Sequence, residues 1–322
     1  MKAFVYGQGG AAIAEVPTPE PLGTQVLVRV HACGLNRADL GMTKGHAHGS
    51  QGGVGTALGM EWAGEVVACG PDAKGVVPGD RVAGSGSAAF AEYTVADHGR
   101  LLPLPAAMSF TTAATLPLAL TTMHNALVTV GRLEPGQSVL VQGASSGVGL
   151  MAMQIAKLKG ARLVVGSSTN AERRARLAEF GADLAIDSAD PAWVDTVLSA
   201  TEGRGVDLVI DQVSGRVASQ NLRATRVLGR IVNVGRLGGS HADFDFDTHA
   251  ARRIDYVGVT FRTRTIEEIR DIFAKVRGDV WPAAVEGQLR MPIDSTFTFD
   301  DIGNAFARME ANAHLGKIVV TL

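Results

Sequence analysis

The fold is decided by residues 138–155, SVLVQGASSGVGLMAMQI. Val139-Leu140-Val141 is a short unbroken apolar run, the pattern of a parallel strand covered on both faces. Gly143-Ala144-Ser145-Ser146-Gly147-Val148-Gly149 follows at once, and Val148, Met151, Ala152 and Ile155 then recur at helical spacing. A strand that turns through small residues straight into a helix is what a phosphate cradle requires. The backbone can approach a pyrophosphate closely, and the helix dipole and its unbonded N–H groups face the anion. The strict G-x-G-x-x-G spacing is not kept, because Ala144 and Ser146 fill its first two glycine positions; Gly149, at the third, suits close helix–strand packing. Ala144, Ser145, Ser146, Gly147 and Val148 are therefore the candidate phosphate-binding residues.

Outward from this stretch the strand signal repeats in Leu163-Val164-Val165, Leu184-Ala185-Ile186, Leu208-Val209-Ile210 and Ile231-Val232-Asn233-Val234. Residues 171–180 (AERRARLAEF) read as a helix stopped by Gly181. The alternation predicts a doubly wound, parallel α/β sheet, a Rossmann domain. Its second strand ends in Gly166-Ser167-Ser168-Thr169, where an NAD-binding fold places an acid for the ribose 2′-hydroxyl. No acid is present, and Arg173 and Arg174 follow. Hydroxyls from Ser167 and Ser168 with a cation at Arg173 suit a 2′-phosphate, so the expected cofactor is NADPH.

Residues 1 to about 120 carry a different rhythm. Val26, Val28 and Val30 alternate with Leu27, Arg29 and His31, the period of a half-buried strand, and Pro78-Gly79-Asp80 marks a turn between two valine-bearing runs. After residue 262 a helix is expected from Ile266 to Val276 and a strand at Ile318-Val319-Val320; this tail is too small to stand alone and is expected to pack on the N-terminal β domain. The predicted domains are 1–122 with 263–322, and 123–262.

At 322 residues, with 46% hydrophobic and 19% charged side chains, the chain can bury two cores. A net charge of −2 gives no electrostatic footprint for nucleic acid or an acidic membrane surface. Two cysteines, Cys33 and Cys69, exclude a disulfide framework and a four-cysteine zinc site. The start, MKAFVYGQGG, lacks a secretory apolar region. Leu101 to Gly131 carries no Asp, Glu, Lys or Arg, but Pro103, Pro105 and Pro117 interrupt it, so a buried core segment is expected there and a cytoplasmic location overall.

Several stretches together resemble the medium-chain dehydrogenase/reductase superfamily, and within it the zinc-free NADPH:quinone oxidoreductases. HACGLNRADL (31–40) resembles the family's G-L-N-x-x-D segment, and GMEWAGE (59–65) its G-x-E-x-x-G segment. The run from 115 to 143 resembles the approach to the cofactor domain, and MEANAHLGKIVV (309–320) the C-terminal signature. The resemblance implies a GroES-like β domain beside the Rossmann domain. It implies Thr121, Val234, Gly235, Thr260 and Phe261 near the nicotinamide half of the cofactor, and Asn36 beside nicotinamide ribose and substrate. Zinc-dependent relatives carry Cys where this chain has Asn36 and His where it has Met60; an amide and a thioether are poor zinc ligands, so no metal is expected. Quinone-group members often carry tyrosine in the loop matching 41–53, where this chain has His46 and His48, candidate proton donors to a developing oxyanion.

The expected activity is metal-free hydride transfer from NADPH to a quinone. Reduction of an enone or enoyl C=C bond, or of a ketone, is the neighbouring reading, and an NADPH-binding sensor or structural protein the non-enzymatic one. Residues 256–259 (YVGV) read as an exposed sheet edge, so a homodimer is expected.

Overall fold

The computed structural model describes residues 1–49 and 51–322; Ser50, at the end of the GHAHGS loop, lies outside the described residues. The chain divides into two compact units, Met1–Thr121 with Phe261–Leu322, and Thr122–Thr260.

The first unit is a β domain. Its strands are β1 (Lys2–Gly7), β2 (Gly10–Glu15), β3 (Gln25–Gly34), β4 (Thr56–Ala57), β5 (Glu61–Cys69), β6 (Arg81–Ser85), β7 (Tyr93–Asp97) and β8 (Leu101–Pro103). The alternation read at Val26, Val28 and Val30 is the inward face of β3, where all three are buried. Between the valine-bearing runs, Asp80 N–H donates to Val77 O (3.1 Å) and Gly79 holds φ +96°, a tight turn that only a residue at ease with positive φ closes without strain.

The second unit holds β9 (Ser138–Gln142), β10 (Leu163–Ser167), β11 (Leu184–Ile186), β12 (Val206–Asp211), β13 (Thr225–Asn233) and β14 (Asp255–Gly258). They form one parallel sheet in the order β11-β10-β9-β12-β13-β14. β9 is buried along its whole length, as its unbroken apolar run requires. The order reverses between β9 and β12, and in such sheets ligands bind beyond the carboxyl ends of the strands at that point.

The chain then returns to the first unit. β15 (Ile293–Thr298) and β16 (Lys317–Thr321) pair with each other, and β16 pairs antiparallel with β3, giving a seven-stranded sheet in the order β15-β16-β3-β5-β6-β8, with β7 also on β3. One core joins Val28, Val30, Trp62, Phe90, Phe306 and Ile318, so the tail completes the N-terminal domain. The architecture is a GroES-like β domain plus a Rossmann domain.

One element departs from expectation. Residues 171–180 are not one helix: Ala171–Ala175 is α-helical and Leu177–Phe180 is 3-10, with Arg176 N–H bonding to Arg173 O (3.2 Å) at the junction. The tighter winding buries both Leu177 and Phe180, three apart, while their neighbours stay exposed. Gly181 ends it at φ +96°.

Candidate functional site

In the Rossmann unit the GASSGVG turn lies at the carboxyl end of β9 and opens the helix Gly147–Leu158. Ser146 is its N-cap and accepts from Gly149 N–H (3.1 Å). That leaves the first helical N–H groups, at Gly147 and Val148, without intrahelical acceptors by position. A Cβ on Gly149 would stand 2.6 Å from Gly143 O and 2.7 Å from Ala144 Cα, so the helix sits against the turn at a distance only glycine permits.

Beneath the turn runs a buried polar relay. Gly143 N–H donates to Ser167 Oγ (3.0 Å), which donates to Gln142 Oε1 (2.6 Å). Gln142 Nε2 donates to Asn221 Oδ1 (2.8 Å), and Asn221 Nδ2 to Asp211 Oδ2 (3.0 Å). Asp211 Oδ1 accepts the N–H groups of Val213 (2.9 Å) and Ser214 (2.8 Å). Burial pushes the Asp211 carboxyl above the ordinary carboxylate range, and these hydrogen bonds oppose it. The relay fixes the ends of β9, β10 and β12 as one rigid rim. On that rim Ser146 Oγ donates to Gln212 Oε1 (2.8 Å), while Gln212 Nε2 is buried with no acceptor.

The relay revises the roles expected of two residues. Ser167 is fully buried and its hydroxyl is engaged inside the turn, so it supports the cradle instead of touching a ligand. Ala144 is likewise buried, its N–H donating to Ser167 O (2.8 Å). Ser145, Ser146, Gly147 and Val148 stay partly open. Ser168 Oγ bonds Ser145 Oγ (2.9 Å), linking the ends of β9 and β10. Arg174 donates to Ser168 O (2.8 Å) and Asp187 Oδ2 (3.0 Å), so it braces this corner and neutralises the nearest acid. Arg173, half-buried, starts from the short helix capped by Asn170 Oδ1 (2.9 Å to Arg173 N). Val234 and Gly235 sit where β13 ends, both N–H groups bonding Asp211 O (2.7 and 3.2 Å), and Thr260 lies two residues past β14. A helix N-terminus, a helix held against the turn by Gly149, an orphaned amide donor and a rim without an unpaired acid fit a phosphorylated dinucleotide.

In the GroES-like unit a charged cluster is buried. Lys317 Nζ, at the start of β16, donates to the Glu61 carboxylate, to Asn36 Oδ1 (2.6 Å) and to Leu35 O (3.4 Å). Asn36 Nδ2 reaches Glu61 Oε2 and Gly34 O, each at 3.2 Å, and Leu118 N–H donates to Glu61 Oε1 (2.7 Å). Both amide hydrogens of Asn36 are therefore engaged, and only its Oδ1 retains a lone pair for another group. Asn36 can accept from a hydroxyl but does not supply a proton donor. Asp39 N-caps nothing itself; its carboxylate accepts Asn36 N–H (2.7 Å), it is fully buried, and burial lifts it to about 7.

Beside this cluster opens a cavity of about 280 Å³, lined by His48, Met60, Leu118 and Phe261 among others. His48 faces it; His46 is exposed and does not. Burial, then the nearby Arg262 charge, holds the His48 imidazole below its ordinary pKa, so it is neutral at pH 7 and has an N–H, not an imidazolium, to offer. Thr121 is fully buried and its hydroxyl donates to Pro117 O (2.6 Å), within its own helix. Cys33 is buried in the core with its thiol on Ala89 O (2.8 Å), a packing role. The relay residues Gln142, Asp211, Gln212 and Asn221, and Lys317, were missed from sequence. Lys317 had a signal: a lysine heading the apolar strand KIVVT needs a buried partner.

Two family models match the chain. The alcohol dehydrogenase GroES-like domain matches residues 23–106, and the domain described as zinc-binding dehydrogenase matches residues 147–276. The chain belongs to the medium-chain dehydrogenase/reductase family of oxidoreductases. It is similar to the bovine quinone oxidoreductase-like protein 2 (28% identical, over 96% of this chain and 89% of that one). It is also similar to a phenolphthiocerol/phthiocerol polyketide synthase of Mycobacterium tuberculosis (30% identical over 312 residues). That match covers 96% of this chain but only 14% of the synthase. In fold it matches an Escherichia coli quinone oxidoreductase complexed with NADPH, at TM-score 0.89 and 21% identity over the whole of both chains.

Proposed function

We propose that this protein is an NADPH-dependent reductase of quinones that works without a metal. The observation that carries the metal-free reading is the Lys317 ammonium. It is bonded to Asn36 Oδ1, at a position where zinc-dependent relatives carry a cysteine, and to the carboxylate of Glu61, next to the position where they carry a histidine. A resident cation already neutralises the carboxylate and engages Asn36 Oδ1. The zinc-binding dehydrogenase match begins at residue 147 and contains none of Asn36, Met60 or Glu61.

NADPH, when bound, supplies a hydride, and an acceptor that already takes electrons well needs no Lewis acid. The chain's own residues hold and orient. Gly147 and Val148 N–H groups with Ser145 and Ser146 face the pyrophosphate, Gln212 Nε2 offers one further donor, and Arg173 with Ser168 takes the 2′-phosphate. Met60, Leu118 and Phe261 give the acceptor an apolar wall, and the neutral His48 N–H stabilises oxyanion character as it develops.

A second reading, reduction of an enoyl C=C bond, is favoured by the 30% identity to the polyketide synthase. Purified protein mixed with NADPH or NADH and a panel of quinones, enones and simple ketones decides among these. The expected result is NADPH oxidation with quinones or enones, weak turnover with NADH and none with ketones, unchanged by a zinc chelator. Tight NADPH binding with no acceptor reduced makes the protein a sensor instead. We extend the proposal to a homodimer joined through β14, one of the two edge strands of the parallel sheet; a monomer mass in sedimentation overturns that part.

A further inference from the structure

The cavity of the GroES-like unit is not the neutral slot that a plain quinone needs. Three arginines line it, Arg100, Arg262 and Arg264, and among the described lining residues there is no Asp or Glu. Arg264 reaches Glu268 outside the cavity at 3.4 Å. Arg100 differs. Its Nε is buried with no hydrogen-bond partner, and among the described residues its guanidinium meets no carboxylate within ion-pair distance. The acid nearest in sequence, Asp97, is already saturated: Arg270 donates to both its oxygens (2.9 and 2.6 Å), Thr24 Oγ1 to one (2.7 Å) and Gly99 N–H to the other (2.8 Å). Gly86 borders Arg100 in this wall, since a Cβ there would come into ordinary contact with Nη2 at 3.9 Å. Arg100 is half-buried, and the Asp97 charge acts on it only at a distance, so a ligand anion would supply the direct hydrogen-bonded counter-charge that the fold does not. Burial does press on Arg100, holding its pKa below the ordinary arginine value. Gln51 adds a second unmet group, its Oε1 buried without a donor.

The far wall is apolar and abuts the charged cluster: Met60 precedes Glu61, and Leu118 N–H holds Glu61 Oε1 at 2.7 Å. The cavity thus has a cationic end and an apolar end, in a volume near the small limit for ligand pockets.

We propose that the acceptor is a small conjugated carbonyl compound bearing a carboxylate, whose carboxylate is held by Arg100 with Arg262 and Arg264 alongside. This rests on the reductase reading and narrows its substrate class. Guanidinium is the group that matches a carboxylate in two parallel hydrogen bonds, and its fork geometry sets the register of the reducible end along the apolar wall.

The test uses the full chain and a matched pair, cinnamaldehyde and 4-carboxycinnamaldehyde, with NADPH oxidation as one readout and calorimetric binding of benzoate as another. The carboxylated aldehyde is expected to show at least a tenfold higher kcat/KM. In Arg100→Met that ratio falls toward one and benzoate binding is lost, while Arg100→Lys, which keeps the charge, retains part of both. Equal kcat/KM for the two aldehydes, or a preference that survives Arg100→Met, overturns the proposal. So does inorganic phosphate binding as tightly as benzoate, or Arg100→Met weakening NADPH as much as benzoate, which would assign the arginines to the cofactor. The two readings fail separately. Benzoate bound through Arg100 with no aldehyde reduced leaves the anion site standing and removes the reductase; cinnamaldehyde reduced with no benzoate bound does the reverse.

Discussion

The two units bury polar groups in opposite ways. The Rossmann rim is built from neutral donors and acceptors in series: Ser167, Gln142 and Asn221 hand a chain of hydrogen bonds to a single acid, Asp211. The GroES-like unit buries opposite full charges, Lys317 against Glu61, with Asn36 filling the remaining valences. A neutral relay tolerates loss of one member at the price of one hydrogen bond, roughly 1–3 kcal/mol for the group left unpaired. A buried ion pair does not, because removing one partner strands a charge.

The sharpest way to break this comparison is Lys317→Met. It leaves the fully buried Glu61 carboxylate without its cation, and the expected loss is about 3–5 kcal/mol of stability by denaturant unfolding. Removing both charges, in Lys317→Met with Glu61→Gln, is expected to recover most of that loss. If the double variant is no more stable than the single one, the cluster is not behaving as a coupled pair. The neutral relay serves as the control: Asn221→Ala is expected to cost less than Lys317→Met in the same assay.

Next in size is a functional effect. Arg173→Ala is expected to weaken NADPH by about 1.5–3 kcal/mol, the worth of a charged hydrogen bond, and to leave NADH nearly untouched. Calorimetry with each cofactor checks it. Equal weakening of both would remove Arg173 from the 2′-phosphate and give that role to the hydroxyl corner at Ser145 and Ser168. Gly149→Ala tests the same cradle sterically. Its Cβ would stand 2.6 Å from Gly143 O, so the helix must move away from the turn; overpacking of this kind costs about 1–3 kcal/mol. Cofactor affinity should fall along with stability, since the same shift displaces the Gly147 and Val148 N–H groups. A variant that unfolds more easily but binds NADPH normally would show that the close approach serves packing alone.

The contrast also explains what was legible. The cradle lies in seven consecutive residues, and its chemistry is that of backbone and small side chains, so spacing reveals it. The strand at 139–141, the small-residue turn and the glycine at 149 all follow from local pattern. The charged cluster draws on Asn36, Glu61, Leu118 and Lys317, and the pair that closes it is 256 residues apart in sequence. No local period reports such a contact, because β16 reaches β3 only after the whole Rossmann unit has intervened. Asn36 was legible as a polar group in a telling position, but not that both its amide hydrogens were committed. Ser167 was misplaced for a related reason. Sequence shows a hydroxyl at a strand end, and whether it points at ligand or under the turn depends on the pleat. The one helix expected over 171–180 split because periodicity cannot distinguish an α-turn from a 3-10 turn when Leu177 and Phe180 are both apolar.

An effect that is small at each pH step belongs to Asp39, which sits against the charged cluster. It is fully buried, its Oδ1 has no hydrogen-bond partner, and burial raises its pKa to about 7 from an ordinary value of 3.8. Asn36 N–H and the Lys317 charge lower it, and the Glu61 charge raises it further. Because the folded state holds this proton to higher pH than the unfolded state does, the native state binds more protons between about 4 and 7, and stability falls as pH rises through that window. The slope from one group is at most about 1.4 kcal/mol per pH unit. Asp39→Asn is neutral throughout and keeps the Oδ acceptor for Asn36 N–H. Its stability relative to the parent should therefore rise from pH 4 to pH 7 and level off above, when denaturant midpoints are compared at fixed ionic strength. A parallel pair of pH profiles would mean that Asp39 is already ionised across the window. The Lys317 charge would then stabilise two carboxylates, not one, and the cluster would be a triad in which Lys317→Met strands both acids.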